Sequence, residues 1–380
     1  MKNTETMTGR QRVSRAIRHE PTDRMPIDLG AHFSTGISAV AYWNLRQYLG
    51  MDTDHIEMID CVQGLARVDT DILDRFHVDT VLLNPPWRHP HIWSPREPYQ
   101  FMVPDSFHPI QDEKGGWTVA VGKDSMYMPT NGFFFDGAWP DFYGWENNKE
   151  RIDHFGRRAR ELYETTDRFT ILMGFAAYFN GLDFACDMLT DPEICHEENE
   201  RTLIANISHF DHVNHHFGKY IGAIEINSDL GMQSAPMCSP DSYREICFPY
   251  LSRFCSHVHQ TSDIKIFLHS CGSIEPLIPH LIEAGVDILN PVQISAGGMN
   301  PSLLKEKYGD KIVFWGGGCN TQETLWKASP EEIKSHVRGL TEVFKPGYGY
   351  IFNQVHNIMG DVPPENIVAM YDTAYKYAWY

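Results

Sequence analysis

Short apolar runs alternate with long helical stretches from one end of this chain to the other, and that alternation limits the fold to a parallel sheet wrapped by helices. Eight segments read as strands: residues 24–29, 79–84, 169–174, 221–227, 264–269, 286–290, 311–315 and 348–353. Eight is the number of parallel strands that closes a sheet on itself, so the predicted fold class is α/β, a (β/α)8 TIM barrel. Helical patterns fall beside them at 9–18, 151–164, 192–217, 240–260, 274–284, 330–344 and 363–377. Several open on proline, as at Ser239-Pro240 and Ser329-Pro330, where a missing N–H costs nothing.

One stretch breaks the alternation. Residues 87–148 are too long for a simple connection and are rich in proline, glycine and aromatics. Within it Asp112-Glu113-Lys114-Gly115-Gly116-Trp117, followed by the apolar run 118–121, predicts a hairpin turn and a returning strand. Inserted after the second strand, on the C-terminal side, this segment is expected to overhang the active face as a lid. The chain of 380 residues therefore reads as one barrel domain, 1–380, with 87–148 as the lid.

A formal charge of -18 with no basic run would repel a phosphate backbone, which excludes nucleic acid as a partner. No apolar run approaches the roughly 20 residues of a membrane span, and Met1 to Thr6 lack the apolar stretch of a leader. The expected location is cytoplasmic, with no membrane partner. The 8 cysteines show no disulfide spacing, so thiols are expected, most of them as small core fillers.

In a barrel the active site is built at the C-terminal strand ends, and here those positions are polar: Asp28, His32, Asn84, Glu225, Asn227, Asp229, His269, Cys271, Asn290, Gln293, Cys319 and His356. His269 and Cys271 are two apart, so in extended backbone both point the same way and can bind one ion. Cys319, after Gly316-Gly317-Gly318, lies two strands later and completes a His/Cys/Cys set with room for a fourth ligand, the pattern of a catalytic zinc site. Glu225 and Asp229 are the candidates for that fourth ligand or for a general acid. Asn84, Gln293 and His356 are assigned to substrate binding, together with Trp117 and Phe135 from the aromatic-rich lid, which suits an apolar or aromatic ligand. No Walker loop, dinucleotide fingerprint, nucleophile elbow or His-Glu-x-x-His motif is present, and no residues for another cofactor emerge.

Arg24-Met25-Pro26, His269-Ser270-Cys271-Gly272, Gly316-Gly317-Gly318-Cys319 and the tail from Gly349 through His356 to Pro363-Pro364-Glu365-Asn366 together carry a family resemblance. On these residues the chain resembles the uroporphyrinogen decarboxylase superfamily nearly end to end. Its His-x-Cys with a distant cysteine is similar to the zinc-dependent cobamide methyltransferase branch. Decarboxylases of the superfamily need no metal and carry an N-terminal Gln-Ala-Gly-Arg-Tyr segment whose arginine grips porphyrinogen carboxylates. This chain has Asp28-Leu29-Gly30-Ala31-His32 there instead.

The resemblance implies Zn2+ activating a methyl donor or acceptor against the cobalt of a cobamide. The aromatic lid favours a methoxylated, aromatic small-molecule donor passing its methyl to cobalt(I), the O-demethylase direction. The alternatives are a methylcorrinoid:thiol transfer to a coenzyme M-type acceptor and, further off, a decarboxylase. An Asp-x-His-x-x-Gly corrinoid motif is missing; the nearest look-alike, Val213 to Gly218, lacks the Asp. The cobamide is therefore expected on a separate corrinoid protein that docks over the barrel mouth. Association into a homo-oligomer is left open.

Overall fold

The computed structural model describes residues 4–145 and 147–380. Residues 1–3, part of the start read for a leader, and Glu146, inside the 87–148 insertion, lie outside the described residues. Six strands form one parallel sheet in chain order: Ile171–Phe175, Ala223–Asn227, Lys265–His269, Ile288–Asn290, Val313–Trp315 and Tyr350–Ile351. Both faces of this sheet are covered, which is why its strands read as nearly continuous apolar runs rather than alternating ones.

The two remaining predicted strands are extended segments held by isolated bridges. Ile27 bridges Phe352 and Thr80 bridges Phe169, both parallel, while the Asp79 N–H donates to the Ile27 carbonyl at 2.8 Å. Two chemical facts keep 24–29 from forming a regular ladder. Pro26 has no N–H to give, and the Ile27 N–H donates to the Asp79 carboxylate at 2.8 Å instead of to a neighbouring strand.

The outer face packs on helices that include Pro192–Phe217, Phe248–Thr261, Pro330–Phe344 and Pro364–Tyr377, forming the main core. The opposite face carries a second buried cluster of Ile171, Ala223, Phe267, Ile288, Val313, Trp315 and Ile351, closed below by Val13, Ala16 and Ile17 of the Gly9–Ile17 helix. Strand register then positions the site. Glu225, Phe267 and Ile288 are level with one another, and one pleat higher Asn227, His269 and Asn290 are level. The same face thus turns from apolar to polar within two residues.

Four helices go beyond the sequence reading: Ala39–Tyr48, Thr70–Arg75, Gly181–Thr190 and Pro301–Tyr308. The helix expected over 240–260 is two, Pro240–Ile246 and Phe248–Thr261, because Pro249 cannot donate across the break. In the insertion, His91–Trp93 pairs with Phe101–Val103, and Ile110–Gln111, Trp117–Val121, Asp124–Met128 and Asp136–Gly137 form a four-stranded antiparallel sheet. Its first turn is tightened by Asp112 Oδ1, which accepts from the N–H groups of Lys114 and Gly116 at 2.8 and 2.9 Å. Among the described residues no helix is long and apolar enough to cross a membrane.

Below the sheet, Asp79 is buried with two arginines. Its carboxylate accepts from Arg24 Nη1 at 2.7 Å and from Arg12, and both guanidinium groups are almost fully enclosed. Arg12 also holds Asp23 at 2.7 Å, and Glu5 reaches both arginines. Removing one partner of a buried pair leaves uncompensated charge, a cost of about 3–5 kcal/mol. Asp79→Ala is therefore expected to lower unfolding stability by about that amount, read as a shift in the urea midpoint. A variant within about 1 kcal/mol of the parent would show that the cluster is not holding these segments together.

Candidate metal centre and adjoining cavity

His269 ends its strand, and Cys271 follows in a turn that only glycine can complete. Gly272 has φ +91°, and a side chain there would meet the Gly231 backbone at 2.3 Å. The turn is braced from both sides: the Cys271 N–H donates to Asp229 Oδ1 at 2.8 Å, and the Gly272 N–H to Gln293 Oε1 at 2.7 Å. Gln293, expected to touch substrate, is thus spent on this turn and on Gln233, to which its Nε2 donates at 3.1 Å.

The imidazole of His269 has a fixed orientation. Asn290 Nδ2 donates to the Trp315 carbonyl at 2.9 Å, so its Oδ1 faces His269 Nδ1 at 2.8 Å and accepts that proton. The lone pair is left on Nε2. Around Nε2 stand Cys271 Sγ at 3.5 Å, Ser34 Oγ at 3.4 Å and Asp229 Oδ1 at 3.7 Å. A hydrogen bond that sets the tautomer of a ligating histidine is the usual second layer of a metal site.

His356 completes the group. The ligand atoms of His269, Cys271 and His356 all lie within 4.8 Å of one another, the first buried and the other two half-buried, so one side stays open. The loop carrying His356 is pinned by its neighbours. Asn353 Nδ2 donates to the Asp28 carbonyl at 3.0 Å, Gln354 Nε2 to that of Thr35 at 3.2 Å, and Asn357 Nδ2 to that of Phe33 at 2.8 Å.

Cys319, read as the third ligand, is outside this cluster. The Gly318 N–H and Cys319 carbonyl continue pairing with Asn353 and Val355, and the residue packs in the main apolar core, near enough to Tyr350 and Tyr371 to act on their phenols. The sequence signal for His356 was its place on a strand-end loop. That signal does not say whether the side chain meets a metal or a substrate.

Burial dominates the electrostatics. It pushes His356 down to about 4, helped by His269, and lowers His269 as well, so both rings stay neutral and free to ligate. Burial and the Asp229 charge push the Cys271 thiol up, away from the thiolate that binds metal. Two neutral imidazoles and a thiol in want of a compensating cation suit a divalent metal with N and S preference, and zinc fits the donor set.

A cavity of about 500 Å³ adjoins the cluster, its inner end formed by His32, Glu225 and Asn227. Asn227 is level with His269, and the His32 and His269 rings are 5.7 Å apart. His32 Nδ1 accepts the Ser34 N–H at 3.0 Å, which leaves its proton on Nε2, 3.2 Å from Glu225 Oε1. That contact is poorly aligned: Glu225 Oε1 has no hydrogen bond, while Oε2 accepts the Gly174 N–H at 3.2 Å. Asn84 lines the same cavity, and its Nδ2 is likewise buried without an acceptor. Trp117 and Phe135 do not reach this space; they pack on Trp93 inside the insertion. Trp139, Phe142, Tyr143 and Trp145 line it instead.

The chain belongs to the uroporphyrinogen decarboxylase (URO-D) family, whose model matches residues 184–377. It is similar to the uroporphyrinogen decarboxylase of Thioalkalivibrio sulfidiphilus (strain HL-EbGR7), 26% identical over 141 residues, 36% of this chain and 38% of that protein. It is also similar to that of Vibrio campbellii (strain ATCC BAA-1116), 43% identical over 69 residues, 18% of this chain and 19% of that one. These matches span well under half the length of the curated relatives. A solved structure, described as a methyltransferase from Methanosarcina mazei, superposes over 98% of this chain and 99% of its own with a TM-score of 0.59 at 14% identity, which shows a shared fold.

Asn290→Leu keeps the branched shape but removes the acceptor that fixes His269. Metal affinity, measured by competition with a chromophoric chelator, is expected to fall about 10- to 100-fold. An unchanged affinity would mean that the tautomer is set elsewhere.

Proposed function

We propose that this protein is a zinc-dependent methyltransferase that moves a methyl group from a methoxylated aromatic donor to cobalt(I) of a separate corrinoid protein. The observation that carries the reading is the convergence of His269, Cys271 and His356 at the top of the polar layer, with His269 Nε2 held free by Asn290. Family membership and the full-length likeness to a protein described as a methyltransferase support it. In this reading the bridges at Ile27 and Thr80 close the sheet as a (β/α)8 barrel within one domain, and the insertion is its lid.

His269, Cys271 and His356 would hold the zinc, which supplies Lewis acidity toward the ether oxygen. Asp229, 3.7 Å from His269 Nε2, is the nearest carboxylate and the candidate for a further ligand. The methyl carbon–oxygen bond breaks as the methyl passes to the partner's cobalt(I), and the departing aryl oxygen takes up one proton. His32 and Glu225, facing each other at the inner end of the cavity, are placed to deliver it. The aromatic walls exclude water from that transfer and stack on the donor ring.

The same cavity argues against decarboxylation of a porphyrinogen. Among the described residues that line it, Arg151 is the only arginine or lysine, too few cations for a substrate bearing many carboxylates. Transfer to a coenzyme M-type thiol would use the same metal but leaves the aromatic walls without a task.

Purified protein is expected to carry about one zinc per chain. Cys271→Ser and His356→Ala should lose the metal and Cys319→Ala should keep it. With zinc bound, a methoxylated arene and a cobalt(I) corrinoid protein should give the absorption change of methylated cobalt, abolished by chelation. A metal-free chain that is fully active would overturn the reading, as would loss of the metal in Cys319→Ala alone.

A further inference from the structure

The cavity beside the metal cluster also carries a cation. Arg151, from the first turn of the Asn148–Thr165 helix, lines the cavity and has no carboxylate within ion-pair distance among the described residues. The adjacent Glu150 pairs across with Arg88 at 2.7 Å. The guanidinium rests near the Phe155 ring, 5.8 Å from its centroid, and its Nη2 lies over Gly174. Gly174 has φ +106°, and a side chain there would meet Nη2 at 2.6 Å. The strand end therefore keeps a bare backbone where the cation sits.

Two buried groups in the same cavity make no hydrogen bond: Asn84 Nδ2, a donor, and Glu225 Oε1, an acceptor that faces His32 Nε2 at 3.2 Å without the alignment of a hydrogen bond, each residue 3% exposed. A buried polar atom without a partner costs free energy, and two in one cavity, one of each kind, describe a ligand with the complementary groups. Trp87, Tyr143, Trp145, Phe155 and Phe175 supply flat walls. The Trp87 and Tyr143 rings lie 4.1 Å apart, and the Tyr143 hydroxyl donates to the Pro85 carbonyl at 2.9 Å, so this wall is held in place.

The carboxylates around the cavity set the orientation. Asp60 is consumed by its own turn, accepting from the Val62 and Gln63 N–H groups and from Gln63 Nε2. Asp141 accepts the Tyr143 N–H at 2.9 Å. Glu225 repels an anion from the His32 end and accepts a donor there, which leaves Arg151 as the place for negative charge. A single guanidinium, one positive charge in a planar fork, matches a carboxylate, a planar monoanion, better than a phosphate with its higher charge.

We infer that the cavity binds an aromatic carboxylate, with the carboxylate on Arg151 and a ring hydroxyl or similar donor on Glu225, and that Arg151 selects methyl ethers of aromatic acids over neutral arenes. The inference rests on the proposed reading that this cavity holds the methyl donor.

Binding is followed by quenching of tryptophan fluorescence, since Trp87, Trp139 and Trp145 line the cavity. The zinc-loaded protein is titrated, without corrinoid protein, with 3-hydroxy-4-methoxybenzoate, its methyl ester and a benzyltrimethylammonium salt. The acid is expected to bind about 10-fold or more tightly than the ester, the scale of a charge-assisted hydrogen bond. Arg151→Gln should bring the acid to the level of the ester without weakening the ester, and Arg151→Lys should retain part of the preference. Equal binding of acid and ester, tightest binding of the ammonium salt, no binding of any of the three, or an acid preference that survives in Arg151→Gln would each overturn the inference. An Arg151-dependent preference without methylation of cobalt would leave this site standing and bring down the methyl-transfer reading.

Discussion

The carboxylate of Asp79 is the point at which three separate stretches of chain meet. It takes the Ile27 N–H, both buried arginines and, through Arg12, the first helix, while its own N–H goes to the Ile27 carbonyl. Without that knot the 24–29 and 79–84 segments, each with only a single bridge to the regular sheet, would have little reason to lie side by side. One residue further along the same two segments Asp28 repeats the device. It accepts from Thr80 Oγ1 at 2.6 Å and from Trp315 Nε1 at 2.8 Å, fully enclosed, with burial pushing its carboxyl up against the pull of those donors. The loop that follows Asp28 carries His32 and Ser34, and the His356 loop is pinned to it through Asn353, Gln354 and Asn357. Two buried aspartates, one residue apart along the paired segments, therefore decide where the metal cluster's neighbours stand.

Arg24 illustrates how a motif changes meaning once its surroundings are known. In the sequence it marks a family; in the fold it is a counter-charge for Asp79 at the end of the sheet remote from the cavity. The polar strand ends were legible because register and pleat are periodic. With His269 assigned inward, Asn227 and Asn290 follow by parallel pairing, and Cys271 follows by its spacing of two. What periodicity does not encode is the path of a loop after the strand stops. Gly316 and Gly317 adopt positive φ, and by Cys319 the chain has turned its thiol into the apolar core. His356, five residues beyond its strand, is brought back to the cluster by three side-chain amides bonded to a loop more than 300 residues earlier in the chain, a relation no local pattern contains.

The insertion shows the same division. Its turn at Asp112 was readable from the Asp-Gly-Gly chemistry, and its aromatic content foretold an apolar role. Which aromatic residues would face the cavity was not readable, because Trp93 gathers Phe107, Trp117 and Phe135 around itself at the edge of the main core and leaves Trp139 to Trp145 for the ligand side. Composition fixes how many rings there are, and packing decides which are spent on holding the lid together.

The charge state of the cluster gives the strongest physical link from fold to chemistry. In the chain alone, burial keeps both imidazoles neutral and the thiol protonated, and Asp229 opposes a second negative charge beside it. A deprotonated Cys271 is therefore costly unless a cation shares its position, so binding of a divalent ion and loss of the thiol proton are one event. The same burial that raises the thiol's proton affinity also lowers the local dielectric, which strengthens the attraction between thiolate and ion once both are present. A soft, partly enclosed site of this kind gains most from an ion that accepts sulfur and nitrogen in a small shell and keeps one position open. The apolar layer of Phe267, Ile288 and Val313 beneath it denies water an approach from below, so a ligand reaches the open position from above, where Cys271 and His356 are half-exposed.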